Sequence, residues 1–354
     1  MSGGRKIKVL VVDDSAFVRQ MFARVLNDDP EIEVVGAAMN PIIARDMIKR
    51  LDPDVITLDI EMPKMDGLSF LEKIMTLRPM PVVMVSSLTQ KGAHETIRAL
   101  ELGAVDCIGK PMNSLGVSID DMRDELLEKV KAAARAKVRA LNPLKVGSAD
   151  HVISSAGKKF KEKIIAIGAS TGGVEALREI ITRLPKDTPP VFVTQHMPPG
   201  FTHSFAERMD KMSEMTVQEA QDGMEVKNGN VYIAPGDRHL RLSLARIGHG
   251  FICRLGADNE EKVSGHRPSV DVMFDSIAES SAGNRAIAAI LTGMGKDGAK
   301  GMLALKKSGA YTIGQDEQSS VVYGMPKAAY LAGAVDVQLP LAKVAQAIVE
   351  QCSA

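Results

Sequence analysis

Two α/β domains in tandem, each with a doubly wound and mainly parallel sheet, are predicted by three features of this sequence. Short apolar runs alternate with amphipathic stretches of helical period in both halves. The runs lack in/out alternation, as expected of strands covered by helices on both faces. At 354 residues the chain is long enough for two ordinary cores.

In the first half, strands are predicted over Lys8–Val12, Val34–Ala38, Val55–Leu58, Val82–Ser86 and Val105–Ile108. Helices fit between them at Ala16–Leu26, Ile42–Arg50, Gly67–Leu77 and Ala93–Leu102, and a fifth begins near Ile119. That helix is expected to continue through EKVKAAARAKVRAL, rich in strong helix formers, until Pro143 and Gly147 end it. The stretch from Asn142 to about Lys161 reads as a flexible linker. The second half opens with KIIAIGASTGG, a strand entering a glycine turn, and GVEALREIITRL follows as a helix. PPVFVTQ, VYIAPG, HLRLSL, AIAAILTGMG and YTIGQ read as strands. FTHSFAERM, SVDVMFDSIAES, a segment before YTIGQ and a final stretch from Leu341 read as helices. The expected organisation is a first domain at 1–128, a helical extension and linker at 129–160, and a second domain at 161–354.

Charge follows this division. Residues 1–128 hold 15 Lys and Arg against 21 Asp and Glu, residues 129–163 hold 10 against 2, and residues 164–354 hold 19 against 21. The net charge is zero, so the chain carries no nucleic-acid signature. A nucleic-acid-binding output module would need a basic helix-turn-helix, and the near-neutral second half has none. The basic connector is more simply a solvated helix and linker. Three scattered cysteines, Cys107, Cys253 and Cys352, with no CxxC pair, argue against a zinc site or disulfide framework and fit a reducing cytoplasm. No segment reaches the ~20 apolar residues of a membrane span, and the N-terminal apolar run meets two aspartates too soon for a signal peptide.

Chemistry-bearing residues sit where strands end. Asp13 and Asp14 follow KVLVV, and Asp59 ends DVITL. Ligands of open α/β sheets gather at the carboxyl ends of strands. Three carboxylates there repel one another unless a cation binds, and an all-oxygen set suits Mg²⁺. A carboxylate beside Mg²⁺ can attack a phosphoryl group. Ser86 ends VVMVS and Lys110 follows DCIG, so a hydroxyl and an ammonium are available to phosphoryl oxygens, with Pro111 fixing the turn. Any one of these aspartates alone is better read as a helix cap or loop acid; the joint pattern is what points to a site.

In the second half, Ser170 lies in GASTGG between strand and helix, where small neighbours permit a sharp turn. His196 follows PVFVTQ and Asp297 follows AIAAILTGMGK. A serine needs a base, and the base needs an acid to orient it. On composition alone His203, His239 or His266 could be the base instead. GASTGG could also cradle a phosphate at a helix N-terminus, although the Walker lysine and the GxGxxG spacing are missing.

VVDDS, LDIEMPKMDG, PVVMVSSL and GKP, over roughly residues 5–125, resemble the receiver domain of two-component response regulators. The resemblance implies a flavodoxin-like fold and Asp59 as phospho-acceptor. It also implies Asp13, Asp14, Asp59 and the carbonyl of Glu61 as Mg²⁺ ligands, with Ser86 and Lys110 as the switch pair. Cys107 departs from the family, which usually has Phe or Tyr three residues before the lysine. IAIGASTGG, TQHMPPGFT, YIAPGDRHL, HRPSVDVMF and LTGMGKDGAKGM, within residues 160–350, resemble the catalytic domain of the chemotaxis protein-glutamate methylesterases. That implies a Rossmann-like hydrolase with Ser170 as nucleophile, His196 as base, Asp297 as orienting acid and the Met294 amide in the oxyanion hole, needing no cofactor for the ester chemistry. It further implies a cytoplasmic enzyme whose substrates are glutamyl methyl esters and certain glutamines of chemotaxis receptors, and whose phosphodonor is a chemotaxis histidine kinase.

Overall fold

The computed structural model describes residues 5–62, 65–87, 89–110, 119–138, 152–154, 160–245 and 250–353. The chain divides into two compact units, Met1–Gly147 and Ser148–Ala354. Pro111, Pro143, Gly147 and most of the expected linker lie outside the described residues.

The first unit alternates β1 (Ile7–Val12), α1 (Ala16–Asn27), β2 (Ile32–Ala38), α2 (Pro41–Leu51), β3 (Val55–Asp59), α3 (Gly67–Leu77), β4 (Val82–Ser86), α4 (Gln90–Glu101), β5 (Asp106–Gly109) and α5 (Ile119–Ala134). Its sheet is wholly parallel, in the order β2-β1-β3-β4-β5. This is the flavodoxin-like order, with its switch point between β1 and β3. Every residue of β3 and β4 is buried, and each such Val, Ile or Leu contributes about 1.5–3 kcal/mol of burial. Helix starts follow their caps: the Thr89 hydroxyl accepts from Gly92 N at 3.1 Å, so α4 begins three residues before the apolar pattern suggested. α5 stops at Ala134, earlier than its composition predicts. Arg135 N bonds Ala132 O and Ala136 N bonds Ala133 O, so the last turn tightens and closes the helix.

The second unit runs β6 (Ile164–Ala169), α6 (Gly173–Ile181), β7 (Val191–Gln195), α7 (Phe201–Asp210), β8 (Thr216–Glu219), β9 (Asn230–Ile233), β10 (Leu240–Leu244), β11 (Phe251–Leu255), α8 (Val270–Ala278), β12 (Ala286–Ile290), α9 (Ala299–Lys307), β13 (Tyr311–Gln315), α10 (Met325–Leu331), β14 (Val337–Leu339) and α11 (Leu341–Ser353). Seven strands form one parallel sheet in the order β14-β13-β12-β6-β7-β9-β8. HLRLSL does not join it: β10 pairs antiparallel with β11 as a separate ribbon. The chain leaves β6 for β7 on one side and later returns to β12 on the other. β6 is therefore the switch strand, flanked by the two strands that carry the other candidate residues.

Gly67 shows how tightly the β3 exit is packed. A Cβ there would lie 2.1 Å from the Asp59 carbonyl oxygen and 2.8 Å from Ile60 Cα. Both are backbone atoms and cannot rotate away. Gly67→Ala is expected to destabilise the first unit by about 3 kcal/mol, measured as a lowered melting temperature. An unchanged melting temperature would show that the β3–α3 turn has slack.

Candidate functional site

At the β1/β3 switch point, Asp13 and Asp59 are buried and Asp14 is exposed, with a ligand atom from each lying within 4.8 Å of the others. Asp13 Oδ1 accepts from Ser15 N at 2.8 Å, and Asp59 Oδ1 accepts from Glu61 N at 3.1 Å. Lys110 Nζ stands 2.7 Å from Asp59 Oδ2 and 3.7 Å from Asp13 Oδ2. It is a close ion-pair partner of Asp59, while Asp13 Oδ2 is buried without a hydrogen-bond donor. Burial, and next to it the Asp13 charge, outweigh Lys110 and push the Asp59 carboxyl up to about 6. Two crowded carboxylates, one with an unsatisfied oxygen, and one lysine form a site that a divalent cation fits. The strand ends are tied together, Lys110 N donating to Ser86 O at 2.7 Å. The Ser86 hydroxyl is turned to backbone, donating to Gly92 O at 3.1 Å and Ser87 O at 3.3 Å. Cys107 is fully buried, with its thiol pushed up to about 12 by burial. Its carbonyl receives the Lys129 ammonium of α5, which also pairs with Asp106 and Glu125.

In the second unit, Ser170 leaves β6, His196 leaves the adjacent β7, and Asp297 lies in the loop from β12, the other neighbour of β6, to α9. Gly172 takes a φ of +76°, which a β-carbon would strain, and caps α6. Ser170 N donates to Thr292 O at 3.0 Å and Gly173 N to Ser170 O at 2.6 Å. Those two amides are satisfied internally, which weakens the phosphate-cradle reading of GASTGG. His196 N donates to Ala169 O at 3.3 Å, and Gln195 Nε2 donates to the carbonyls of Ser170 (3.0 Å) and His196 (3.3 Å). The segments that carry Ser170 and His196 are thus fastened through their backbones.

Asp297 organises the other side. Its Oδ2 accepts from His196 Nε2 at 2.8 Å and Val270 N at 2.7 Å. Its Oδ1 accepts from Ser269 Oγ at 2.8 Å, Gly298 N at 3.0 Å and Asp271 N at 3.1 Å. Ser269 caps α8, so the carboxylate sits on free amides at the positive end of that helix. Burial alone would raise this acid, but the His196 hydrogen bond and charge, with the Val270 and Ser269 donors, hold it down at about 2. An ionised carboxylate only accepts, so Nε2 carries a proton, and in the neutral ring Nδ1 is then the lone-pair nitrogen. Nδ1 is buried and has no hydrogen-bond partner. In the common serine-protease arrangement the acid holds Nδ1 and Nε2 is the base; here the ring is reversed. Ser170 Oγ does not bond Nδ1 in this structure, a looseness frequent in unliganded sites.

The rival histidines have other roles. His203 is half exposed on α7 and pairs with Glu207 and Glu219. His239 uses both nitrogens, accepting from Ser269 N at 3.1 Å through Nδ1 and meeting Glu261 O at 3.0 Å through Nε2. His266 stacks on His196. Met294 follows Gly293, whose packing is so close that a Cβ there would lie 2.8 Å from Ser170 Cβ. Met294 N has no hydrogen-bond acceptor among the described residues. The sequence reading missed Gln195 and Ser269. Their signals are a polar residue ending an apolar strand and a cap serine before an apolar helix.

The lowered Asp297 acid makes a pH prediction. Its folded value near 2 lies below the ordinary value of 3.8. About 2–3 kcal/mol of stability is therefore present above pH ~4 and lost as pH falls toward ~2. Acid titration of the second unit's unfolding should show this limb, and Asp297→Asn should flatten it; an identical limb in the variant would contradict the assignment.

Residues 165–348 match the family described as CheB methylesterase, and residues 9–117 match the response regulator receiver domain. Over 351 residues, 99% of both chains, this sequence is 54% identical to protein-glutamate methylesterase/protein-glutamine glutaminase 1 of Caulobacter vibrioides. Over 345 residues, 97% of both, it is 51% identical to the protein-glutamate methylesterase/protein-glutamine glutaminase of Bordetella parapertussis. The crystal structure of the Thermotoga maritima CheB methylesterase catalytic domain superposes with a TM-score of 0.51 at 48% identity, covering 54% of this chain and 98% of that one.

Proposed function

This chain belongs to the CheB methylesterase family, with a response regulator receiver domain ahead of the catalytic domain, and from there we propose how its own residues do the work. The enzyme is a protein-glutamate methylesterase and protein-glutamine glutaminase. In the proposed reaction His196 Nδ1 takes the Ser170 proton as Oγ attacks the side-chain carbonyl of a receptor glutamyl methyl ester. The Met294 amide receives the developing oxyanion, a contribution often worth ~3–4 kcal/mol per donor. His196 returns the proton to the leaving methoxide, methanol departs, and water, deprotonated by the same nitrogen, hydrolyses the acyl-serine to free glutamate. A glutamine side chain follows the same path with ammonia as the leaving group. The observation that carries this reading is the His196 ring, fastened at Nε2 to an ionised Asp297 with Nδ1 buried and without a hydrogen-bond partner, at the exit of the strand beside the one leading to Ser170.

The proposed regulatory half spans 1–128, joined through 129–160 to catalysis at 161–354. Asp59 is the phospho-acceptor, with Asp13, Asp14, Asp59 and the Glu61 carbonyl as the Mg²⁺ set. Bound Mg²⁺ neutralises charge on the acceptor and the incoming phosphoryl group. The crowding of the three carboxylates, with Asp13 Oδ2 buried and without a hydrogen-bond donor, supports that set. Lys110 pairs with the phosphoryl oxygens, and Ser86 leaves its backbone acceptors to donate to one. Phosphorylation by a chemotaxis histidine kinase raises esterase output, resetting methyl-accepting receptors during adaptation. No helix among the described residues is long and apolar enough to cross a membrane, and the proposed location is the cytoplasm.

Ser170→Ala should abolish methanol release from methylated receptor membranes while the chain melts normally; near-normal turnover would sink the nucleophile assignment. Asp59→Asn should bring the ratio of phosphodonor-stimulated to unstimulated turnover to one, because an amide is a poor phosphoryl acceptor. A retained response would place the acceptor elsewhere.

A further inference from the structure

The ring of His266 lies flat on the ring of His196, with centroids 3.8 Å apart and planes 14° from parallel. The Ser170–His196–Asp297 chemistry does not itself call for a second imidazole. Yet the backbone that delivers it is built for the purpose. Val263 and His266 form a two-way antiparallel bridge, each N–H bonded to the other carbonyl at 3.0 Å. Between them Ser264 has φ +53° and Gly265 φ +84°, the two positive angles of a primed hairpin turn. That conformation is unfavourable for serine. The Ser264 hydroxyl offers a hydrogen bond to Asp271 Oδ2 at 3.4 Å, and Asp271 Oδ1 accepts from Gly301 N of α9 at 2.8 Å. On the far side, Arg267 grips Asp237 Oδ1 through Nε at 2.8 Å and Nη2 at 2.6 Å, while Asp237 N donates to Arg267 O at 3.2 Å. His266 is therefore tethered on both flanks, to α8 and α9 on one and to Asp237 on the other.

The geometry leaves a need for this ring. The bond from Nε2 to Asp297 fixes one atom of His196, and Nδ1 has no partner to fix another. The imidazole can still turn about that bond, which would swing Nδ1 out of line with Ser170. A stacked ring removes the turning freedom by fixing the plane. We infer that His266 is a positioning residue for His196, holding the ring plane in which Nδ1 acts as base. The inference rests on the proposed triad.

Methanol release from methylated receptor membranes by the full-length enzyme tests it. His266→Ala should lower kcat about tenfold to a hundredfold, the size of a misaligned catalytic group, with KM changed less than about twofold. His266→Phe keeps a flat ring and should recover kcat to within about threefold of the unaltered enzyme. In a His196→Ala background, His266→Ala should cost nothing more, because it acts through that ring. An unchanged kcat in His266→Ala would overturn the inference. So would a folded His266→Phe that turns over as slowly as His266→Ala, or a further loss in the double variant. If His266→Ala fails to fold, the kcat of His266→Phe still decides. Near-normal turnover in His196→Ala alone would overturn the triad itself, and the inference with it.

Discussion

The Asp297 carboxylate, seated on the N-terminus of α8, is the interaction on which the proposed catalytic site depends. Five donors converge on its two oxygens: the His196 ring, the Ser269 hydroxyl and the amides of Val270, Asp271 and Gly298. With the donors and the helix end keeping it ionised, the acid cannot give a proton to His196, only receive a hydrogen bond from it. That single restriction selects the tautomer, and the tautomer selects which ring nitrogen can act as base. The same contacts position α8, whose Val270 packs so closely on Gly168 of β6 that a Cβ there would lie 2.3 Å from Val270 Cγ1. Asp297 thus links the proposed base to the strand that leads to the proposed nucleophile.

Both units place their chemistry by one topological rule. Parallel strands all end on one edge, and a crevice opens where the chain reverses its direction of winding. In the receiver that point lies between β1 and β3, and it gathers Asp13, Asp14 and Asp59. In the catalytic unit it lies at β6 with neighbours β7 and β12, and it gathers Ser170, His196 and Asp297. What differs is how charge is treated. Asp297 is surrounded by donors and held down at about 2, whereas Asp59, with Lys110 as its cation, is pushed up to about 6 by burial and then by the Asp13 charge. The first arrangement is a settled anion. The second is a site that gains from an added cation, as the proposed phospho-acceptor should.

Much of this was legible because buried parallel strands announce themselves as apolar runs, and because the polar residue after each run is where function gathers. Asp59, Ser170, His196 and Asp297 stood out as candidates at strand exits, and the family resemblance supplied their proposed roles. The elements that escaped notice lacked the signal. β8 (TVQE) is a polar edge strand, β14 has three residues, and α10 is a short helix begun by glycine and proline. β11 could not be paired with β10 without knowing the ribbon they form. Ser269 and the pairing of His266 with His196 escaped for a different reason. Their roles come from contacts with residues far along the chain, such as Ser269 with Asp297 and His266 with His196, and no local spacing encodes those meetings.

The most direct test of the central claim is the protonation pattern of the His196 ring, read by nitrogen NMR of the full-length chain labelled in histidine and assigned by loss of the signal in His196→Gln. At neutral pH the account predicts a ring with its proton on Nε2 and a bare, basic Nδ1. A neutral ring carrying its proton on Nδ1 would contradict it, since the Asp297 contact would then not be the one that sets the base.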